Sequence, residues 1–88
     1  MKETKILLSK RAEKDLKKIK DLTFWKRYKP TLEKIKERPF TAGHPLHGIL
    51  KGAFSCEVTK KFRIIYTVED GKIRIITILA IGHHDDVY

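Results

Sequence analysis

The sequence predicts an α+β fold, β-α-α-β-β-β, in which two N-terminal helices pack on one face of a small, mostly antiparallel sheet. Two apolar stripes with helical spacing occupy the first half of the chain. In the second half, two β-branched runs flank the sequence Glu69-Asp70-Gly71-Lys72, a pattern typical of a hairpin. A chain of 88 residues builds one modest core, so we expect residues 1–88 to be a single domain.

The first predicted elements are a short strand and an amphipathic helix. Residues 5–8 (Lys-Ile-Leu-Leu) form the strand, and Ser9 is a favourable N-cap for the helix that follows. Within residues 10–20 the apolar positions recur at i, i+4 and i+7, namely Ala12, Leu16 and Ile19. We therefore expect a helix with one narrow apolar stripe and otherwise mostly basic faces.

A second helix is predicted from its cap Thr23 to about Arg38, and Pro39 ends it. Its apolar stripe consists of Phe24, Trp25, Tyr28, Leu32 and Ile35. Pro30 interrupts the pattern, either as a kink or in the first turn of a helix that begins near Lys29. Because the stripe stays in phase across Pro30, we favour a kinked or tightly joined helix. The two helices form an αα-hairpin, and its aromatic residues belong to the core.

A loop rich in Gly, His and Pro separates the helices from the remaining strands. It spans residues 41–52 and is compatible with a short strand or edge segment around 46–50. The next strand alternates between two faces, with Phe54, Cys56 and Val58 on one and Ser55 and Glu57 on the other. If Val58 pairs with Phe62, Glu57 lies directly across from Arg63.

The hairpin turn sets the predicted register of the last two strands. Asp70-Gly71 suits a two-residue type I′ turn, in which both central residues have φ > 0. Val68 then faces Ile73, Tyr66 faces Ile75 and Ile64 faces Thr77. One face carries Phe62, Ile64, Tyr66, Val68, Ile73, Ile75, Leu79 and Ile81, and the other carries Arg63, Ile65, Thr67, Arg74, Ile76 and Ile78. We expect the helices to cover the first face and the face with Glu57 and Arg63 to stay open.

Composition restricts the classes of partner. The net charge of +9 points to a polyanion: nucleic acid, an acidic protein or an anionic membrane surface. The single cysteine excludes an internal disulfide and fits a reducing cytoplasm. No apolar run is long enough for a membrane span or resembles a signal peptide, so we expect a cytoplasmic protein with no membrane partner.

Metal, thiol and phosphate-loop chemistry find little support. His44 and His47 lie in a Pro/Gly loop, and His83 and His84 are adjacent, which is poor spacing for ligands of one ion. Cys56 is predicted to be a small buried apolar residue rather than a nucleophile. The glycines are scattered and do not form a P-loop motif. We therefore predict neither a metal nor another cofactor.

The strongest constellation lies on the open face and at the end of the last strand. It comprises Glu57, Arg63, His83, His84 and Tyr88, with Lys51, Lys60 and Lys61 nearby. Metal-free cleavage of a phosphodiester needs a base, a fixed cation for the charged phosphate, and an acid for the leaving oxygen. Arg63 suits the cation's role and a histidine either of the others, while RNA supplies its own 2′-OH nucleophile.

Purely structural roles for the same residues also stay open. Glu57 and Arg63 would then form only a cross-strand ion pair. The two C-terminal histidines and Tyr88 would belong to an exposed or disordered tail.

Three segments, taken together and in this order, form a pattern that is fairly specific for one protein family. They are Leu46 through Gly52, the strand Lys61-Phe62-Arg63-Ile64-Ile65-Tyr66, and the ending Ile81-Gly82-His83-His84-Asp85-Asp86-Val87-Tyr88. With these, and with the opening helix and Glu37-Arg38-Pro39, the chain resembles the RelE/ParE toxin superfamily over nearly its whole length. The resemblance implies two helices on a small sheet and a ribosome-dependent endoribonuclease that cuts mRNA and is neutralised by an antitoxin.

The resemblance also implies roles for individual residues. Arg63 contacts the scissile phosphate, His83 acts as acid or base, and Tyr88 matches the family's tail tyrosine. The basic candidates for RNA contact are Lys51, Lys60 and Lys61. Two positions depart from the pattern. His84 stands where many members have arginine, and Glu57 stands where they have a basic residue or histidine, so the assignment of base and acid stays open.

Two other functions on the same fold are considered: a ParE-like gyrase-inhibiting toxin and a non-catalytic nucleic-acid-binding module. The histidine-rich ending favours the nuclease, because a gyrase inhibitor needs no acid–base pair there. The expected partners are mRNA, the ribosome and an acidic antitoxin that is partly disordered when free and folds on binding, giving a hetero-oligomeric complex.

Overall fold

A five-stranded sheet and two α-helices make up the part of the chain that the computed structural model describes, residues 3–83. The strands are β1 (Thr4–Leu8), β2 (His44–Pro45), β3 (Ala53–Glu57), β4 (Phe62–Asp70) and β5 (Arg74–His83). They lie in the order β1-β5-β4-β3-β2, with β1 parallel to β5 and the other neighbours antiparallel. The predicted fold class is confirmed, and the two-residue β2 is an addition to the predicted order.

The helices α1 (Lys10–Lys18) and α2 (Leu22–Glu37) both begin at a side-chain cap. The Ser9 hydroxyl accepts the Ala12 N–H at 3.0 Å, as predicted. Asp21, not the predicted Thr23, caps α2 by accepting the Phe24 N–H at 3.1 Å, and its carboxylate also suits the positive end of the helix dipole. Pro30 lies inside α2 without ending it. In the described residues, neither helix has the length and apolarity needed to span a bilayer.

Ser9, the cap of α1, and Asp15 within α1 complete the outer edge of β5. Because β1 pairs with β5 only as far as Ile78, the edge beyond needs other partners. The Ser9 N–H donates to the Ile78 carbonyl at 2.9 Å, and the Ser9 hydroxyl donates to the Leu79 carbonyl at 2.7 Å. Asp15 Oδ2 accepts the Ile81 N–H at 2.9 Å. These bonds satisfy the strand edge where α1 packs against it.

The main core lies between the helices and one face of the sheet. Its buried members are Ala12, Phe24, Ile35, Cys56, Val58, Phe62, Ile64, Tyr66, Ile76, Ile78 and Ile81. Both predicted helical stripes therefore face the sheet, although Trp25 stays 41% exposed at the rim and donates its indole N–H to the Ile19 carbonyl. The predicted alternation along β3 is confirmed, and Glu57 pairs with Arg63 across β3 and β4.

The predicted hairpin register is wrong. Asp70 pairs with Arg74, so residues 71–73 form a three-residue connection, and Gly71 does not have a positive φ. The Asp70 carboxylate receives the Arg74 guanidinium at 3.3 and 3.4 Å, which ties the strands together across this connection. Val68 consequently faces Ile76 and Tyr66 faces Ile78.

This register reverses the predicted faces along most of β5. Ile76 and Ile78, expected on the open face, are fully buried in the main core. Ile73, expected in the core, is 39% exposed. A bulge then restores the predicted parity, because Ile65 pairs with Ala80 while Tyr66 pairs with Ile78, leaving Leu79 as the extra residue. Ile81 therefore reaches the core as predicted.

The second sheet face is not fully open, contrary to the prediction. Ala53, Ile65 and Ala80 form a small buried cluster there, and Leu46 and Leu79 pack against it. Leu46 comes from the loop that carries a short 3-10 helix, Gly48–Leu50. The predicted short strand also lies earlier than expected, at His44–Pro45. Glu57 and Arg63 remain accessible beyond this cluster, with 53% and 24% of their side chains exposed.

Asp15→Ala should lower the free energy of unfolding by about 1–3 kcal/mol, because it leaves the partly buried Ile81 N–H without its acceptor. Asp15→Asn should retain most of the stability, since its amide oxygen can still accept. Urea denaturation of the two variants measures the difference. Equal losses would show that the hydrogen bond contributes nothing beyond the charge of Asp15.

Candidate active site

Arg63 lies on β4, on the sheet face opposite the helices. Its guanidinium contacts two groups of β3: Nη1 donates to the Ser55 hydroxyl at 3.5 Å, and Nη2 lies 3.7 Å from a Glu57 carboxylate oxygen. Both β3 residues come from the face predicted for them. An ion pair with a half-exposed carboxylate is worth at most about 1 kcal/mol, so this contact orients Arg63 without committing it.

A small polar cavity of about 220 Å³ opens beside Arg63, at the sheet edge near the end of α2. It is lined by Lys34, Ala42, His44, Ser55, Glu57 and Arg63. From the sequence, His44 was weighed only as a metal ligand, and Lys34 was not among the predicted site residues. The cavity therefore brings an imidazole, a guanidinium, an ammonium group and a carboxylate to one place.

The segment before His44 is held closely against β3 and β4. The buried Tyr66 hydroxyl donates to the Pro39 carbonyl at 2.7 Å. A Cβ on Gly43 would come within 2.8 Å of the Ser55 carbonyl oxygen and 2.9 Å of the Tyr66 hydroxyl, so only glycine fits this approach. His44, in β2, then pairs with Ser55 of β3. The backbone thus fixes the position from which the His44 side chain reaches the cavity.

Two buried side chains report on the local environment. Burial raises the pKa of the Cys56 thiol, while the nearby positive charges of Lys34 and Arg63 act to lower it. The two cations therefore influence the same point beneath the cavity. Burial also raises the pKa of the Tyr66 hydroxyl well above its ordinary value, so this hydroxyl stays a hydrogen-bond donor at neutral pH.

His83 is on the opposite side of the sheet from Arg63, which contradicts the expected pairing of these two residues. Arg63 pairs with Gly82, and His83 pairs with Phe62 on the helix-covered face. The His83 ring lies 4.9 Å from the Phe62 ring and lines a cleft of about 390 Å³ with Arg11, Lys18 and Lys20. Successive side chains on a strand alternate between the two faces of the sheet. His83, which lies opposite Phe62, therefore cannot share a site with the Arg63 side chain.

The three predicted RNA-contacting lysines do not form one group. Lys60 and Lys61 lie in the β3–β4 turn and line a cleft of about 440 Å³ that also includes Glu57. Lys51 precedes β3 at its other end, and the five residues of β3 alone span about 13 Å. The structure thus brings Lys60 and Lys61 near Arg63 and leaves Lys51 apart.

His84 and Tyr88, both predicted site residues, lie outside the described residues. Among residues 3–83, no three His, Cys, Asp or Glu side chains form a group that could hold a metal ion. Sequence reasoning missed His44 because a two-residue strand has no periodicity to detect. Lys34 was one of many helical lysines, and only the packing of α2 distinguishes it.

The cavity has the groups required for chemistry on a phosphate ester. A guanidinium binds phosphate oxygens with two parallel donors, and an imidazole can accept or donate a proton near neutral pH. Ser55 and Glu57 hold the guanidinium from one side. This arrangement suits binding of one phosphate group with a proton-transfer group next to it.

The model of the family described as the ParE toxin of the type II toxin–antitoxin system parDE matches residues 6–88. No curated protein matches the chain in sequence.

Among solved structures, the YoeB/ParE toxin from Agrobacterium tumefaciens is 19% identical over 96% of this chain and 99% of its own, with a TM-score of 0.79. YafQ from E. coli strain BL21(DE3) is 25% identical over 98% and 99%, with a TM-score of 0.71. The YoeB-YefM complex from Staphylococcus aureus contains a chain that is 24% identical over 92% and 97%, with a TM-score of 0.74.

Glu57→Gln should strengthen the binding of inorganic phosphate about two- to fivefold, because it removes a competing carboxylate whose exposed ion pair is worth up to about 1 kcal/mol. Amide chemical shifts of Gly43 and Ser55 during a phosphate titration measure the affinity. Glu69→Gln removes the same charge at the far, exposed end of β4 and is the control. Weaker binding by Glu57→Gln would show that the carboxylate is needed to orient Arg63.

Proposed function

The chain belongs to the ParE toxin family of type II toxin–antitoxin systems, and from that premise we propose that it is a metal-independent endoribonuclease that cleaves mRNA on translating ribosomes. The observation that carries the proposal is the cavity shared by His44 and Arg63. A toxin that acts only by binding a protein has no need of an imidazole and a guanidinium around a space suited to one phosphate. The similarity of fold to YoeB and YafQ is consistent with this function.

In the proposed reaction, the RNA supplies the nucleophile. The 2′-oxygen attacks the adjacent phosphorus as His44 removes its proton, and the bond from phosphorus to the 5′-oxygen breaks. The products are a 2′,3′-cyclic phosphate and a 5′-hydroxyl, whose proton comes from an acid. Arg63 stabilises the negative charge that develops on the phosphate oxygens. Water is not consumed in this step.

The acid is assigned to the C-terminal residues. Because His83 faces the helices, we propose His84 as the histidine to test, with Tyr88 as the second candidate. Glu57 is assigned an orienting role toward Arg63 rather than the role of base, because it lies 3.7 Å from the guanidinium.

An antitoxin is the proposed partner. Solved relatives include the YoeB-YefM complex from Staphylococcus aureus and the RelBE2 toxin-antitoxin complex from Mycobacterium tuberculosis. A net charge of +9 fits an acidic partner that orders on binding, in a hetero-oligomer. Since the proposed substrate is mRNA in the act of translation, the proposed location is the cytoplasm.

Inhibition of gyrase is the second candidate function, because the matching family model is that of the ParE toxin. The two functions leave different traces in cells. A gyrase inhibitor produces stalled gyrase and DNA damage with intact mRNA. A ribosome-dependent nuclease produces cut mRNA without DNA damage.

His44→Gln and Arg63→Gln should each lower mRNA cleavage in a translating extract by about 100-fold or more, since each removes proton transfer or charge stabilisation from the reaction. Mapping the mRNA ends measures cleavage. The control is His47→Gln, an exposed histidine of the same loop that does not line the cavity. Wild-type cleavage by His44→Gln, with an unchanged melting temperature, would exclude His44 as the base.

His83→Gln should cleave at nearly the wild-type rate, because its side chain is on the helix side of the sheet. His84→Gln should lower the rate and shift the alkaline limb of the pH–rate profile, as expected on loss of a general acid. The opposite ranking of the two variants would return His83 to the catalytic role.

A further inference from the structure

A second basic cleft lies next to the cavity that contains Arg63. It measures about 440 Å³ and is lined by Asp21, Thr23, Arg27, Glu57, Thr59, Lys60 and Lys61. Glu57 is common to both walls, so the cleft and the cavity are neighbours on the two sides of one side chain. An extended ligand, such as a nucleic-acid strand, that leaves the cavity past Glu57 would enter this cleft.

The turn that carries the two lysines is well ordered by hydrogen bonds. The Thr59 hydroxyl accepts the N–H groups of Lys61 and Phe62, both at 3.2 Å. The Val58 N–H donates to the Phe62 carbonyl at 2.9 Å. These bonds fix the backbone at the start of β4, where the Cα atoms of Lys61 and Arg63 are about 6.6 Å apart at the rise of an extended chain.

The charges in the cleft favour an anion. Asp21 already accepts the Phe24 N–H, and Glu57 already faces Arg63. Within residues 3–83, no ion pair occupies Arg27, Lys60 or Lys61. Arg27 lies on α2, and its planar fork suits a phosphate oxygen pair.

We propose that the cleft of Arg27, Lys60 and Lys61 is a subsite for the phosphate that flanks the scissile one, so that the enzyme holds at least two consecutive phosphates of a single strand. This inference rests on the proposed function, since the strand is the one that Arg63 holds. The ligand class is single-stranded nucleic acid with an intact phosphodiester backbone.

Thymidine oligonucleotides with one and with three phosphates test the subsite, because they lack the 2′-hydroxyl and are inert to the proposed reaction. For the wild type, the longer probe should bind about tenfold more tightly, measured by calorimetric titration at low salt. Arg27→Gln and Lys61→Gln should each remove most of that gain and lower the salt slope for the longer probe by about one. Binding of the shorter probe should be nearly unchanged.

Lys29→Gln is the matched control. Lys29 is exposed on α2, does not line the cleft, and lies about 200° around the helix from Arg27. It should keep the full gain with length. A Lys29→Gln loss as large as that of Arg27→Gln would overturn the subsite in favour of diffuse attraction.

The remaining outcomes separate the subsite from the function. If the wild type binds the shorter probe and gains nothing from added phosphates, the subsite is wrong while cleavage at Arg63 can stand. If the gain depends on Arg27 and Lys61 but no RNA is cut on ribosomes, the subsite stands and the proposed activity is wrong. If neither probe binds, the subsite is wrong, and the mapping of mRNA ends in the translating extract decides the proposed activity separately.

Discussion

The pairing of β4 with β5 is the constraint on which the rest of the structure depends. Side chains alternate along a strand, so a register change by an odd number of residues moves every side chain of β5 to the other face. The observed register buries Ile76 and Ile78 completely. Exposing both without replacement would cost roughly 3–6 kcal/mol, a large part of the stability of a small domain. The predicted register would bury Ile73 and Ile75 instead, so apolar burial alone does not select between the two registers, and Asp70-Gly71 is compatible with either connection length.

The bulge at Leu79 then decides which face of the sheet each of the last residues of β5 occupies. It moves Ala80 to the face of Ile65 and returns Ile81 to the core, so Gly82 lies opposite Arg63. Glycine has no side chain, so β5 contributes no functional group at the position opposite Arg63. The Ser9 hydroxyl binds the Leu79 carbonyl at the bulge, which links the start of α1 to the geometry of the strand end.

Sequence patterns predicted the parts of the fold that repeat over several turns or strand positions. The stripes of α1 and α2, the Ser9 cap and the Glu57–Arg63 pairing all have such local signals. The hairpin register did not, because Asp-Gly is compatible with more than one connection length. His44 was also beyond pattern analysis, since its position depends on Gly43 fitting between Ser55 and Tyr66, a contact between distant segments. In the candidate site, Arg63 and Glu57 were predictable from alternation, whereas their partners Lys34 and His44 required the tertiary structure.

The basic charge of the chain acts at two different ranges. The lysines of α1 are mostly exposed, and α1 packs at the β1–β5 side of the sheet, whereas the cavity lies near β2 and β3. At physiological salt, charges are screened over about 8 Å, so these lysines attract a polyanion without acting on its phosphates in the cavity. Recognition of one particular phosphate of the polyanion must then come from groups with fixed positions. Arg63 is such a group, because its guanidinium contacts Ser55 and Glu57. Since the exposed ion pair is weak, a phosphate can replace Glu57 as the partner of Arg63 at little cost. The same contact that orients the free arginine therefore leaves it available to the substrate.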